Sequence, residues 1–229
     1  MISLYSGTPG SGKSLDVAGV IYEGYKIDNK NFILNFEYDF DRIKRLKRKT
    51  SVGVCLDNSQ LTIEYLVDFA EKNHKKDRAG RMIEGQTVIV IDEAQILFNS
   101  RSWQSFRRND WITFFTQHRK LGYDVILVSQ FDRLLDRQIR ALIEYDVKHK
   151  NAANYKLAGK ILGFLTGNKI FVAVTYWYGQ KEKCNARFFI GRKKIYTLYN
   201  SYKMFADGVQ KQQQKKAGGL NGFGKKEDL

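Results

Sequence analysis

The chain has 229 residues, and 39 Lys and Arg against 24 Asp and Glu give it a formal charge of +15. With 43% hydrophobic and 14% aromatic residues, this composition excludes a disordered chain and leaves room for one well-buried α/β core with some length to spare. Two cysteines, Cys55 and Cys184, stand far apart and outside any CxxC pair; that argues against a disulfide framework or a cysteine metal site and suits a reducing cytoplasm, while the charge points to an acidic partner such as nucleic acid or an anionic membrane surface.

Met1-Ile2-Ser3-Leu4-Tyr5 runs straight into a glycine-rich loop with no basic segment before it, so no signal peptide is expected. Residues 2–6 read as a short buried strand. The loop Gly7-Thr8-Pro9-Gly10-Ser11-Gly12-Lys13-Ser14 follows, and then a helix over about 13–24 with apolar Leu15, Val17, Ala18, Val20 and Ile21. Strand, loop and helix in that order give a GxxxxGKS run its meaning. Glycines let backbone N–H groups turn towards phosphate oxygens, and the helix start adds its positive end. The expected phosphate-binding set is Gly7, Gly10, Ser11, Gly12, Lys13, Ser14 and Leu15. Lys13 supplies a cation for the β- and γ-phosphates, and Ser14 a hydroxyl for Mg²⁺.

Residues 31–36 read as a second strand. The basic run 41–50 reads as a surface helix or loop, 63–70 as a helix and 72–85 as a loop. Thr87-Val88-Ile89-Val90-Ile91 is apolar or β-branched throughout, as a central parallel strand covered on both faces should be. It ends in Asp92-Glu93. Asp92 is expected in the Mg²⁺ shell, usually through water, and Glu93 as the general base that polarises the attacking water.

Aromatics alternate with arginines over 103–111, a pattern that stacks on bases or simply begins a packed helix. Residues 111–121 read as that helix, with Gly122 as its C-cap. Residues 124–129 form another buried strand, and it ends in Ser129-Gln130. Gln130 is the preferred candidate to sense the γ-phosphate or orient the water. Residues 134–143 read as helix and 145–150 as strand. Arg119, Arg133, Arg137 and Arg140 are candidates by position for an arginine that reaches into a neighbouring subunit's site. His74, His118 and His149 have no metal spacing. Alternating strands and helices imply a mostly parallel sheet flanked by helices, with ligands at the carboxyl ends of the strands.

Beyond residue 150 the texture changes. Residues 169–178 and 186–199 are aromatic and β-branched, separated by polar 179–185, and read as a small antiparallel unit. The apolar stretch 161–177 is broken by Asn168-Lys169 and is too short for a membrane span, so none is expected. The expected organisation is a nucleotide-binding core over 1–150, a β-rich extension over 151–205 and a disordered basic tail over 206–229.

Three segments together resemble one family. They are Gly7 to Ser14 at the extreme N-terminus, Val88-Ile89-Val90-Ile91-Asp92-Glu93-Ala94-Gln95, and Gln117-His118-Arg119-Lys120-Leu121-Gly122-Tyr123-Asp124 leading to Val128-Ser129-Gln130. Over about residues 1–150 they resemble the zonula occludens toxin family, the assembly ATPases of filamentous phages. The resemblance implies a P-loop fold with an added central strand, and ATP-driven assembly and export of phage through the host envelope. Lys13, Ser14, Asp92 and Glu93 match its nucleotide-site positions, with ATP and Mg²⁺ as cofactors. Family members usually carry a transmembrane helix after this part. Here either a separate subunit supplies the anchor or the chain meets the inner face of the membrane through its basic surface. The toxin activity in the family's name lies outside this part and is not carried over.

The function expected is therefore an ATP-hydrolysing motor for phage morphogenesis in the host cytoplasm. It would work as a homo-oligomeric ring, with phage coat proteins or single-stranded DNA as partners. Alternatives are a DNA translocase or packaging ATPase, a nucleotide-dependent scaffold with little turnover, and a nucleic-acid-binding protein that merely retains the loop.

Overall fold

The computed structural model describes residues 1–44, 51–99, 108–152 and 170–200. Strands β1 (Ile2–Ser6) and β5 (Thr87–Ile91) are buried at every position. Strands β2 (Asn31–Leu34), β4 (Gly53–Cys55), β6 (Tyr123–Val128) and β7 (Tyr145–Asn151) lie parallel to them. Strands β8 (Ile170–Trp177) and β9 (Glu182–Ile190) then add on in antiparallel fashion. The main, eight-stranded sheet runs β4-β2-β5-β6-β1-β7-β8-β9. Strand β6 therefore separates the loop-bearing β1 from the acidic-ended β5, the added-strand arrangement that the family resemblance implies. The α/β expectation, a mostly parallel sheet followed by antiparallel strands, is met.

Alternation along the strands sends side chains to two faces. Ile2, Leu4, Ile89, Ile91, Val125 and Leu127 face a core closed by α3 (Ile63–Asn73), α4 (Arg108–Gln117) and α5 (Arg137–Ala141). Phe98, Trp111, Phe114 and Phe115 meet there edge-on at 5.2–5.9 Å between ring centres. The long helix α1 (Lys13–Lys26) buries Val17, Ala18, Ile21 and Tyr25, and the Tyr38 hydroxyl donates to its Ala18 carbonyl at 3.0 Å. Tyr38 belongs to the two-residue strand β3 (Glu37–Tyr38), which precedes a one-turn helix α2 (Phe40–Lys44).

Several local expectations shift. Helix α4 stops at Gln117, and 118–121 tighten into a 3₁₀ turn before Gly122, which caps it at φ 81°. The helix expected over 134–143 shrinks to α5, because Asp136 accepts from the Gln138 N–H and starts the helix late. Strand β9 begins at Glu182, within the segment read as a polar separator. As the last strand of the sheet it leaves its side chains largely exposed, so polar residues suit it. Residues 193–196 form a helical turn, α6 (Lys193–Tyr196), where strand was expected, and Tyr199 opens a short strand β10 (Tyr199–Asn200) beside β3. Most of the basic run 41–50, most of the aromatic-arginine stretch 103–111 and the tail 206–229 lie outside the described residues. Among the described residues no helix is long and apolar enough to cross a membrane.

The amino ends of the strands are tied by charge. Asp124 accepts from the Met1 ammonium at 3.0 Å and from Lys30 at 3.1 Å, and His118 Nε2 lies 3.0 Å from the same ammonium. Glu144 accepts from the Ile2 N–H at 3.0 Å and pairs with Arg119 at 2.5 Å. Burial alone would raise both carboxyls. The ammonium and Lys30 outweigh it at Asp124, and Arg119 and the Ile2 N–H outweigh it at Glu144, so both sit below the usual carboxylate range. A carboxylate depressed in the folded state stabilises the fold above its unfolded pKa, about 4, and that contribution disappears as pH falls through the folded value. Denaturation midpoints of the wild type should therefore fall between about pH 5 and pH 3 more steeply than those of a Glu144→Gln, Asp124→Asn double variant. Equal slopes would remove this cluster from the acid response.

Candidate functional site

The carboxyl end of β1 is crowded, and the crowding explains where glycine is needed. A Cβ on Gly7 (φ 144°) would stand 2.6 Å from the His149 carbonyl of β7. A Cβ on Gly12 (φ 95°) would stand 2.6 Å from the Phe171 ring of β8. The loop thus rests directly on the two strands beyond β1. Gly12 starts α1 with no side-chain cap, so the first amides of the helix, Lys13 to Leu15 among them, have no partner within the helix and are free for an anion. The Ser11 hydroxyl is buried without a hydrogen-bond partner. Lys13 Nζ donates to the Gly7 and Thr8 carbonyls at 2.7 and 3.2 Å and so lies over the loop. Burial lowers its pKa, against the pull of Asp92 and Glu93. Free helix-start amides, a cradle that a Cβ would fill and a lysine folded over it fit a polyphosphate.

Asp92 stands across β6 from the loop strand. Its backbone is clamped by Asn35 at the end of β2: the Asp92 N–H donates to Asn35 Oδ1 at 2.7 Å, and Asn35 Nδ2 donates to the Asp92 carbonyl at 2.9 Å. Its carboxylate accepts from the Glu93 N–H at 2.9 Å and from the Tyr199 hydroxyl at 2.5 Å. Burial raises the Asp92 pKa, and the Tyr199 and Glu93 donors only partly offset it. The Ser14 side chain lies close enough to the Tyr199 hydroxyl to offset part of the rise that burial gives its pKa. The Tyr199 hydroxyl therefore stands on Asp92 with Ser14 beside it, at the two expected Mg²⁺ positions. Among the described residues no group of three or more His, Cys, Asp or Glu could hold a metal. A hydroxyl plus one carboxylate suits Mg²⁺, which retains waters and relies on phosphate oxygens.

Glu93 adopts φ 48°, a left-handed conformation costing on the order of 1–2 kcal/mol for a residue with a side chain. Its carboxylate accepts from Gln95 Nε2. Gln130 lies two residues past the end of β6, and its carbonyl accepts from the Gly7 N–H at 3.3 Å. Gln130 lines a cavity of about 590 Å³ beside the loop, together with Gly7, Gly10, Asp132, Asp146 and Lys148. Lys13, Ser14, Asp92 and Glu93 gather on the β5 flank of the loop, whereas Gln130 faces this cavity towards β7. Arg119 pairs with Glu144 at the amino ends of the strands, the opposite edge of the sheet.

Three features had no expectation attached. Asn35 carries a faint signal, a polar residue closing an apolar strand. Tyr199 carries none, being 107 residues from its partner Asp92. The third is a buried ion cluster: Asp16 of α1, only 3% exposed, accepts from Arg187 of β9 at 2.5 and 2.6 Å and faces His149 Nε2 at 2.7 Å. Burial opposes the charge on Arg187, yet Asp16 holds its pKa above the ordinary value. The neighbouring Tyr5 phenol is pushed up to about 12 by burial and by Asp16.

Comparison with known proteins gives a family and a fold. The family model described as Zonular occludens toxin (Zot) matches residues 1–204. The Gene 1 protein of Enterobacteria phage I2-2 is 34% identical over 121 residues, which cover 50% of this chain and 33% of that protein. The Gene 1 protein of Enterobacteria phage M13 is 25% identical over 214 residues, 88% of this chain and 59% of that protein. The chain thus spans about a third to three-fifths of these relatives' length. Among solved structures, B204, the DNA-packaging ATPase from Sulfolobus turreted icosahedral virus, superposes with a TM-score of 0.50 at 15% identity. That match covers 83% of this chain and 97% of the other, and it speaks for the fold alone.

The crowding of the loop makes a rank-order prediction. Gly12→Ala combines a disfavoured φ with a collision against Phe171 and should cost roughly 2 kcal/mol or more. Gly10→Ala has φ 74° but open space around it, so it should cost only about 1 kcal/mol. Urea denaturation of the two variants checks the order, and a Gly10→Ala variant that loses more stability would contradict it.

Proposed function

The chain belongs to the Zonular occludens toxin (Zot) family, and from that premise we propose that it is an Mg²⁺-dependent ATPase that drives filamentous phage assembly. The observation that carries the reading is the strand order. The phosphate loop on β1 and the Asp92-Glu93 pair after β5 flank a single strand, β6, which leads into Ser129-Gln130. A phosphate held at the loop thereby has a cation, a metal-binding carboxylate and a candidate base beside it.

The chain's own groups divide the work as follows. The loop amides and α1 hold the phosphates, and Lys13 leaves the Gly7 and Thr8 carbonyls to follow the β- and γ-oxygens. Ser14 and Asp92 would hold Mg²⁺, which neutralises charge developing between the β- and γ-phosphates. Glu93 takes a proton from a water whose oxygen attacks the γ-phosphorus as the bond to the β–γ bridging oxygen breaks. The products are ADP and inorganic phosphate. Gln130, which faces the cavity on the β7 side of the loop, reads the γ-phosphate. A homo-oligomeric ring at the inner face of the host membrane, with coat proteins as cargo, fits this motor. The +15 charge favours a second reading, in which single-stranded DNA is engaged and moved.

ATP turnover with and without Mg²⁺ and single-stranded DNA tests both. Glu93→Gln should lower kcat by about 10²-fold or more, and Lys13→Ala should abolish tight nucleotide binding and virion export. Unchanged turnover in Glu93→Gln would sink the role given to Glu93. Turnover that rises severalfold with DNA would move the function to the translocating reading.

A further inference from the structure

Tyr199 is the residue of the site that no motif announces, and its contacts say what it does. Its hydroxyl donates to Asp92 Oδ2 at 2.5 Å, and the Ser14 side chain lies close enough to that hydroxyl to offset part of the rise that burial gives its pKa. The other Asp92 oxygen already accepts from the Glu93 N–H at 2.9 Å. The phenol oxygen thus stands on the carboxylate with the serine beside it. A divalent cation reaching both would have to sit where that oxygen sits, or where a water between cation and carboxylate would sit.

We propose that Tyr199 sets the cation affinity of the nucleotide site by competing with Mg²⁺ for Ser14 and Asp92. The proposal rests on the assignment of those two residues as the cation-holding pair. The competition is between a hydrogen bond to a charged acceptor, among the stronger kinds in proteins, and an ion–carboxylate contact. It makes cation binding and release of the phenol the same event.

The phenol's mounting suits such an exchange. Tyr199 stands edge-on to Phe36 at 4.9 Å in the short pairing of β10 with β3. Just before it, the Leu198 carbonyl accepts from the Asp39 N–H at 3.0 Å. One turn earlier, Lys194 donates to the Tyr22 hydroxyl of α1 at 3.1 Å. The segment Lys193 to Tyr199 is a one-turn helix and a two-residue pairing, held mainly by the buried side chains of Ile195 and Leu198 and by Arg42, which donates to the Thr197 hydroxyl at 2.9 Å. Elements anchored by so few backbone bonds open locally at low cost. Displacing the phenol from Asp92 is therefore expected to loosen this segment.

Tyr199→Phe keeps the ring on Phe36 and removes only the hydroxyl. The full chain, loaded with a non-hydrolysable ATP analogue, is titrated with Mn²⁺ and followed by its electron paramagnetic resonance signal. Tyr199→Phe should bind Mn²⁺ about tenfold more tightly than the wild type, while analogue affinity in EDTA stays the same. Unchanged or weaker Mn²⁺ binding in Tyr199→Phe would overturn the competition. Asp92→Asn and Ser14→Ala separate this from the underlying assignment, because if both keep wild-type Mn²⁺ affinity, the cation-holding pair itself is wrong. A second measurement needs no variant. In the wild type, amide exchange over 193–199 should speed up when Mn²⁺ joins the analogue, and equal exchange with and without the cation would also overturn the proposal.

Discussion

The constraint on which the rest of the site depends is the buried charge of Asp16. A carboxylate one turn into the phosphate-loop helix, shut away from water, is tolerable only if something neutralises it. The Arg187 guanidinium from β9 does so, and His149 Nε2 from β7 stands against the same carboxylate at 2.7 Å. The helix that presents its first amides to the loop is thereby bolted to strands contributed by the last third of the described chain. Removing one partner of such a cluster typically costs about 3–5 kcal/mol, because the remaining charge stays buried. The strands beyond β1 are thus the counter-charge and the back wall of the loop: the parallel strand β7 lends the His149 carbonyl beneath Gly7, and the antiparallel strand β8 the Phe171 ring beneath Gly12.

The two edges of the sheet do different jobs. At the carboxyl ends sit Lys13, Ser14, Asp92, Glu93 and Gln130. At the amino ends sit His118, Arg119, Asp124 and Glu144, which fasten the first residues of β1 to β6 and β7. The segment from Gln117 to Asp124, which made the family resemblance specific, therefore has an architectural part. It fixes the start of β1, and a parallel strand five residues long transmits that placement to Gly7. A loop whose glycines clear their neighbours so narrowly needs its strand held at both ends.

What the sequence makes legible follows from the range of the interactions. The glycine loop, the continuous apolar run Thr87 to Ile91 and the Asp-Glu ending are local patterns, so the parallel core and the candidate nucleotide residues can be read directly. Strand β4 is only three residues long, and the short apolar run Val52 to Leu56 around it is too brief to mark a strand without the edge that β2 offers. The start of β9 is hidden for the converse reason: an exposed last strand lacks the burial that makes strands hydrophobic. Asn35 and Tyr199 meet Asp92 from 57 and 107 residues away. No spacing rule reaches that far, and only the fold brings them together.

The same long-range groups explain how the acidic end of β5 can hold its shape. Asp92 is pinned through its own N–H and carbonyl by Asn35, and the chain then turns through Glu93 in a left-handed conformation. Strain of that kind persists only where the surroundings over-determine it. Here the Glu93 N–H is taken by Asp92, its side chain by Gln95, and the next residue, Ala94, donates to the Val128 carbonyl of β6 at 2.9 Å. The turn separates the directions of two adjacent carboxylates, one towards Ser14 and Tyr199 and the other towards Gln95. Two acidic groups so close would otherwise repel and share a single environment. The strained backbone gives the two carboxylates separate surroundings, Asp92 against Tyr199 and Glu93 against Gln95, which an unstrained strand end does not provide.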